Sequence, residues 1–151
     1  MPISKMFVVR FFQLIKGRRF AEAERVLERI RKKTNETEWN SGYLHALDGI
    51  LLAQKSNDSY AFIKKLDFED EKQLKNFRKD FLAEYKNKIH SDNDRGFFAA
   101  WADYMLILKQ SLAEEAKAEA TDEVKAEATD ETKAEATDEQ SDETAEKDEN
   151  A

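Results

Sequence analysis

The chain has 151 residues, with 25 Lys+Arg against 32 Asp+Glu and no cysteine, which excludes a disulfide framework and a thiolate metal site. Its net charge of −7 hides a division: residues 1–112 hold 21 basic against 16 acidic side chains, and residues 113–151 hold 4 against 16. All 16 aromatic residues precede residue 105, so the first 112 residues can bury a core and the acidic remainder cannot.

No apolar run approaches the roughly 18 residues of a membrane span. The N-terminus, MPISKMFVVRFFQLIKGRR, is interrupted by Arg10 and lacks a small-residue cleavage site, which argues against a secretory signal. Residues 5–16 read as a first helix, with Ser4 as N-cap and Gly17 as the C-terminal stop. Met6, Phe7, Val8, Val9, Phe11, Phe12, Leu14 and Ile15 are too many apolar residues for one stripe, so this helix is either covered on most sides or offers a face to a partner. Residues 18–33 form a second helix with Phe20, Ala23, Leu27 and Ile30 inward, and the short link at Gly17 makes the pair an antiparallel hairpin.

Asn35 followed by Glu38 has capping-box spacing and introduces the stretch Trp39–Ala53, expected to be the central helix. At about 100° per residue, Trp39, Tyr43, Leu47, Ile50 and Leu51 share a bulky face. Gly42, Ala46, Gly49 and Ala53 form a small-residue stripe beside it. A glycine costs a helix interior about 0.8–1.0 kcal/mol relative to alanine, so the stripe predicts close approach of a neighbouring backbone at both glycines. Ser56-Asn57-Asp58-Ser59 ends this helix, and a short helical piece at Tyr60–Leu66 follows. Asp67 is the expected cap of a long helix reaching about Ile89, with Leu74, Phe77, Phe81, Leu82, Tyr85 and Ile89 inward. Ser91-Asp92-Asn93-Asp94 caps a further helix carrying Phe97, Phe98, Trp101, Tyr104, Met105, Leu108 and Leu112. No alternating β-branched segment occurs. The expected fold is all-α, a single bundle of five to six helices over residues 1–112.

Residues 117–140 are three octapeptides, KAEATDEV, KAEATDET and KAEATDEQ. Glutamates recur every four residues from Glu115 to Glu143, and like charges at that spacing oppose a helix by a few tenths of a kcal/mol per pair. No apolar stripe offsets them, so disorder is expected beyond about residue 118, in an acidic low-complexity tail (113–151).

Chemistry-bearing motifs are scarce. No Gly-rich loop, P-loop, GxSxG elbow or HExxH is present. His45 with Asp48 supplies too few ligands for a closed metal site. His90, Asp92 and Asp94 fail calcium-loop register and read as a helix C-terminus followed by a helix N-terminus. No catalytic residue, metal or cofactor is expected. The basic hairpin is the one charged feature of note: Arg10, Lys16, Arg18, Arg19, Arg25, Arg29, Arg31, Lys32 and Lys33 are candidate polyanion-binding residues.

The segments GYLHALDGILLA (42–53) and DRGFFAAWADYMLIL (94–108) resemble pieces of an uncharacterised family of small helical archaeal proteins. That resemblance implies a soluble, cytoplasmic protein and carries no activity. Residues 18–53 also resemble tetratricopeptide hairpins in a Gly…Phe…Ala…Leu pattern, but the spacing departs from that repeat and no second copy exists.

Two functions fit these features. The first is a non-enzymatic helical module for a protein partner, contacted through the outer face of residues 6–15, with the tail as a solubilising or regulatory arm. The alternative is binding of RNA or a ribonucleoprotein through the basic hairpin, modulated by the acidic tail as a competing polyanion.

Overall fold

The computed structural model describes residues 2–56 and 61–138, with side chains up to residue 126. Five α-helices follow one another: α1 (Lys5–Lys16), α2 (Phe20–Lys33), α3 (Glu38–Lys55), α4 (Glu71–Lys86) and α5 (Asp92–Asp138), with a 3₁₀ turn at Phe62–Lys65. No strand occurs among the described residues, so the fold is all-α as expected. The chain divides into two compact units, residues 1–112 and 113–151. Asn57, Asp58 and Ser59 of the expected helix stop, and Tyr60 at the expected start of the short helical piece, lie outside the described residues.

The first unit's core explains why α1 is apolar nearly all round. Val8, Phe11, Phe12, Leu14 and Ile15 are all buried, and of its apolar side chains only Met6 and Val9 are left exposed. Phe12 stacks on Tyr104 of α5, ring centroids 4.7 Å apart. Ala23, Leu27 and Ile30 of α2 and Tyr43, Ala46, Leu47, Ile50 and Leu51 of α3 complete the same cluster with Ala100, Met105 and Leu108 of α5. α4 contributes one fully buried side chain, Leu74. It is held instead through half-buried aromatics: Phe62 meets Phe77, Phe81 and Trp101 edge-on at 5.0, 5.8 and 5.4 Å, a favoured arrangement of ring quadrupoles.

The tightest contact is between backbones. A β-carbon placed on Gly42 of α3 would lie 1.8 Å from the Asn93 carbonyl oxygen, and one on Gly96 of α5 would lie 2.0 Å from the Trp39 carbonyl oxygen. Two glycines therefore face each other's helices across one crossing, and no side chain fits between. Gly49 is different: it is exposed, and a β-carbon there meets nothing within 4 Å. The small-residue stripe thus holds for Gly42 and Ala46 and fails at Gly49. Spacing along α3 marked the face correctly at Gly42 but not how far along it a neighbouring backbone comes close.

Capping also differs in detail. α3 is capped by Thr37, which accepts from the Asn40 N–H at 3.1 Å, while the Asn35 carbonyl accepts from the Asn40 amide at 3.0 Å. α4 is capped by Asp70, accepting from the Gln73 N–H at 3.1 Å, and Asp67 sits in the preceding turn, accepting from the Glu69 N–H at 3.0 Å. The helix ends at Lys86, not near Ile89, with Asn87 accepting from the Ile89 N–H at 3.0 Å. In both helices the cap lies two or three residues beyond the expected one, at another side-chain oxygen able to accept the same kind of bond. α5 begins as expected: Ser91 accepts from the Asp94 N–H at 3.1 Å.

In the second unit the helix passes the boundary expected near residue 118. Residues 119–126 are helical, and the α5 backbone runs to Asp138. Glu114 and Lys117, then Asp122 and Lys125, stand three apart, which offsets part of the glutamate ladder, and the many alanines favour helix. The remaining tail, 139–151, lies outside the described residues.

Two buried phenols make the fold sensitive to alkali. Tyr43 donates to the Asp103 carboxylate at 2.6 Å. Burial, then the Asp103 charge and that hydrogen bond, raise its pKa far above the ordinary value. Burial pushes Tyr104 up to about 12, against the opposing effect of a hydrogen bond from Gln54. A phenol with a raised folded-state pKa contributes stability that is present below the unfolded value of about 10 and lost as pH rises beyond it. Unfolding should therefore set in between about pH 10 and 12, with the phenolate absorbance of these two tyrosines rising together with loss of helical circular dichroism. Complete tyrosine titration near pH 10 in a still-helical protein would contradict this.

Candidate functional site

The basic hairpin is largely engaged by its own neighbours. Arg19 pairs with Glu22, Arg31 with Asp48 across to α3, and Lys32 reaches Glu28 at 4.0 Å. The Arg18 guanidinium lies 5.3 Å from the Phe20 ring centroid, and the Lys33 ammonium 5.0 Å from that of Phe7. Lys16 is exposed at the end of α1. Arg10, Arg25 and Arg29 are exposed as well. On α2, Arg25, Arg29 and Lys32 share the outward face, but Glu28 stands among them. The nine candidate residues therefore form a mixed-charge surface, not one continuous basic face.

α4 carries the more uniform surface. At about 100° per residue, Lys72, Lys75, Lys79 and Lys86 fall within an arc of about 60°. All four are exposed, and the row from Lys72 to Lys86 spans about 21 Å at 1.5 Å per residue. Ala83 lies at its edge, while Asp80 and Glu84 point elsewhere on the helix. Among the described residues none of these four ammonium groups has a carboxylate partner. Glu71, the acidic residue nearest this arc, lies 4.0 Å from Lys109 of α5. Lys75, Lys79 and Lys86 line a surface hollow of about 550 Å³ together with Arg78 and Leu82. Arg78 is half-buried, and its Nε is buried without a hydrogen-bond partner among the described residues. This row was missed in the sequence because residues 34–112 balance to −2 with 11 basic and 13 acidic side chains. The 3-4-7 spacing of the lysines was the signal that would have found it.

A second feature is a cavity of about 280 Å³ lined by Ile15, Lys16, Arg18, Gln54, Phe68, Tyr104 and Leu108. It sits where α1 ends. Arg18 and Arg19 N–H groups donate to the Ile15 and Leu14 carbonyls at 3.0 and 2.9 Å, the two bonds of a Schellman motif. The left-handed position of that motif falls on Arg18 (φ 57°), whereas Gly17 has φ −75°. Glycine is the usual occupant of this conformation because it carries no β-carbon.

The histidines gain no catalytic company. Asp48 is taken by Arg31, and the exposed His45 ring lies 6.2 Å from that of Phe97. His90 Nε2 is 2.5 Å from Glu84, Asp92 pairs with Arg95 at 3.2 Å, and Ser91 donates to Asp94 at 2.9 Å. No group of three or more potential metal ligands occurs among the described residues, and no described helix is long and apolar enough to cross a membrane.

No family model, curated protein or solved structure matches this chain.

The cost of a non-glycine residue in the left-handed region is about 1–2 kcal/mol. Arg18→Gly is accordingly expected to stabilise the fold, by about 1 kcal/mol after the added freedom of glycine in the unfolded chain. A thermal melt reads this directly, and a midpoint at or below that of the parent would show that Arg18's own contacts outweigh its backbone cost.

Proposed function

We propose that residues 1–112 form a non-enzymatic binding module whose ligand is a phosphate backbone, RNA or the RNA of a ribonucleoprotein, and that α4 is the contacting element. The observation that carries this reading is the acid-free row of Lys72, Lys75, Lys79 and Lys86. A row of point charges along a straight axis suits a linear polyanion, whose counterions are released on binding. Lysine serves here as a positioning contact, with no base-reading geometry implied. Mutual repulsion among four like charges costs the isolated protein some stability, which an anionic ligand relieves.

A protein-interaction role is less well supported by the same geometry. It rested on the apolar surface of α1, and most of that surface is spent on the core, leaving Met6 and Val9.

The test is binding of single-stranded RNA to the full chain across a range of salt. With four contacts, log Kobs should fall against log[salt] with a slope of about −3. Changing Lys75, Lys79 and Lys86 together to glutamine should flatten that slope by about 2, whereas the same change at Arg10, Arg25 and Arg29 should alter it by less than about 1. No RNA binding at low salt, or a larger effect from the hairpin triple, would reject the reading. Capture of a protein that survives nuclease and still requires the α4 lysines would reassign the row to an acidic protein.

A further inference from the structure

We propose that the cavity at the C-terminal end of α1 is a binding site for a small apolar carboxylate, held by the Arg18 guanidinium and the Tyr104 hydroxyl. It involves none of the α4 lysines, so it stands or falls independently of RNA binding.

The cavity has an apolar floor and a cationic edge. Ile15, Tyr104 and Leu108 are 2%, 1% and 3% exposed, while Lys16 and Arg18 are exposed side chains lining the same space. No carboxylate lines it. Three of the four last carbonyls of α1 are also satisfied: those of Gln13, Leu14 and Ile15 accept from the N–H groups of Gly17, Arg19 and Arg18 at 2.9–3.0 Å. The helix end therefore presents little partial negative charge to an entering anion.

Two observations point independently to a ligand. The first is Tyr104. Its hydroxyl oxygen accepts from the Gln54 amide at 3.4 Å, but no acceptor for its own proton is found among the described residues. A phenol can donate as well as accept, and buried donors are rarely left without an acceptor. A phenol is protonated at neutral pH, so this hydroxyl, which lines the cavity, has a proton to offer an acceptor that enters it. The second is Arg18, which holds a guanidinium in a backbone conformation where glycine would be at ease, with Gly17 only one residue away. Backbone strain of this kind gathers at ligand clamps, where the surrounding structure enforces it. Its contact with the Phe20 ring further fixes the side chain.

A carboxylate satisfies both donors at once through charge-assisted hydrogen bonds. The apolar floor asks for a hydrocarbon body. Ligand pockets commonly run from about 300 to 1,000 Å³, and about 280 Å³ restricts the body to one the size of a medium-chain acid or a single large apolar residue.

Isothermal titration of the full chain with octanoate and with 1-octanol tests the proposal. Octanoate should bind at least about tenfold more tightly than the alcohol. Arg18→Gly should weaken octanoate by about tenfold while melting no lower than the parent, which separates lost binding from lost folding. Tyr104→Phe, nearly isosteric, should weaken octanoate several-fold and the alcohol by less, because the bond to a carboxylate is charge-assisted. A peptide ending in a free leucine that binds more tightly than both octanoate and its own amide would support the site and assign the carboxylate to a polypeptide end. Equal affinity for acid and alcohol with no preference for the free peptide end would overturn the proposal, as would undiminished octanoate binding by Arg18→Gly.

Discussion

The fold depends on one close crossing, where Gly42 of α3 faces Asn93 and Gly96 of α5 faces Trp39. A methyl group at either glycine would overlap a carbonyl oxygen of the opposite helix, at 1.8 and 2.0 Å. Neither contact can be relieved by a rotamer change, because the obstructing atoms belong to backbone. The conformational cost of placing glycine in two helix interiors is offset by dispersion contacts between main chains and by what the approach makes possible elsewhere. Asn93 donates from its amide to the Glu38 carbonyl at 3.4 Å at the same crossing.

From that crossing the remaining geometry follows. With α5 seated against α3, Tyr43 reaches Asp103 and Gln54 reaches Tyr104. Tyr104 is then stacked on Phe12 and becomes the floor of the cavity at the end of α1. The opposite side of α5 offers Trp101 and Phe98 to α4, which is held by half-buried rings and a single buried leucine. That looser attachment leaves the lysine face of α4 exposed. The two candidate surfaces thus have different characters: the cavity is floored by fully buried core side chains, and the lysine row lies on a helix with a single buried residue.

Much of this fold was legible in the sequence, and the reasons for the exceptions are physical. Helix periodicity named the buried stripes of α1, α2, α3 and α5, because a 3.6-residue repeat of apolar side chains marks the surface a helix must cover. It placed Gly42 at a close approach for the right reason. It erred at Gly49, since periodicity describes a helix's own surface and not where along it a neighbour comes close. It chose Asp67 as the cap where Asp70 caps, both being acidic residues ahead of an apolar run. The glutamate ladder of the tail misplaced the end of α5 because its repulsion was given more weight than the helix propensity of the alanines and lysines between. For the candidate sites, counting charge over long windows drew attention to the hairpin and away from α4. The strained backbone at Arg18 had no signal at all, since Gly17 beside it stood as the expected helix stop.

The central claim is that α3 and α5 meet backbone to backbone at two glycines. Thermal melts of Gly42→Ala, Gly96→Ala and Gly49→Ala test it most directly, because helix propensity alone would make all three stabilising by up to about 1 kcal/mol. The crossing predicts that Gly42→Ala and Gly96→Ala each lose about 2 kcal/mol or more through overpacking, while Gly49→Ala gains slightly. A Gly42→Ala protein that melts at or above the parent would contradict the account.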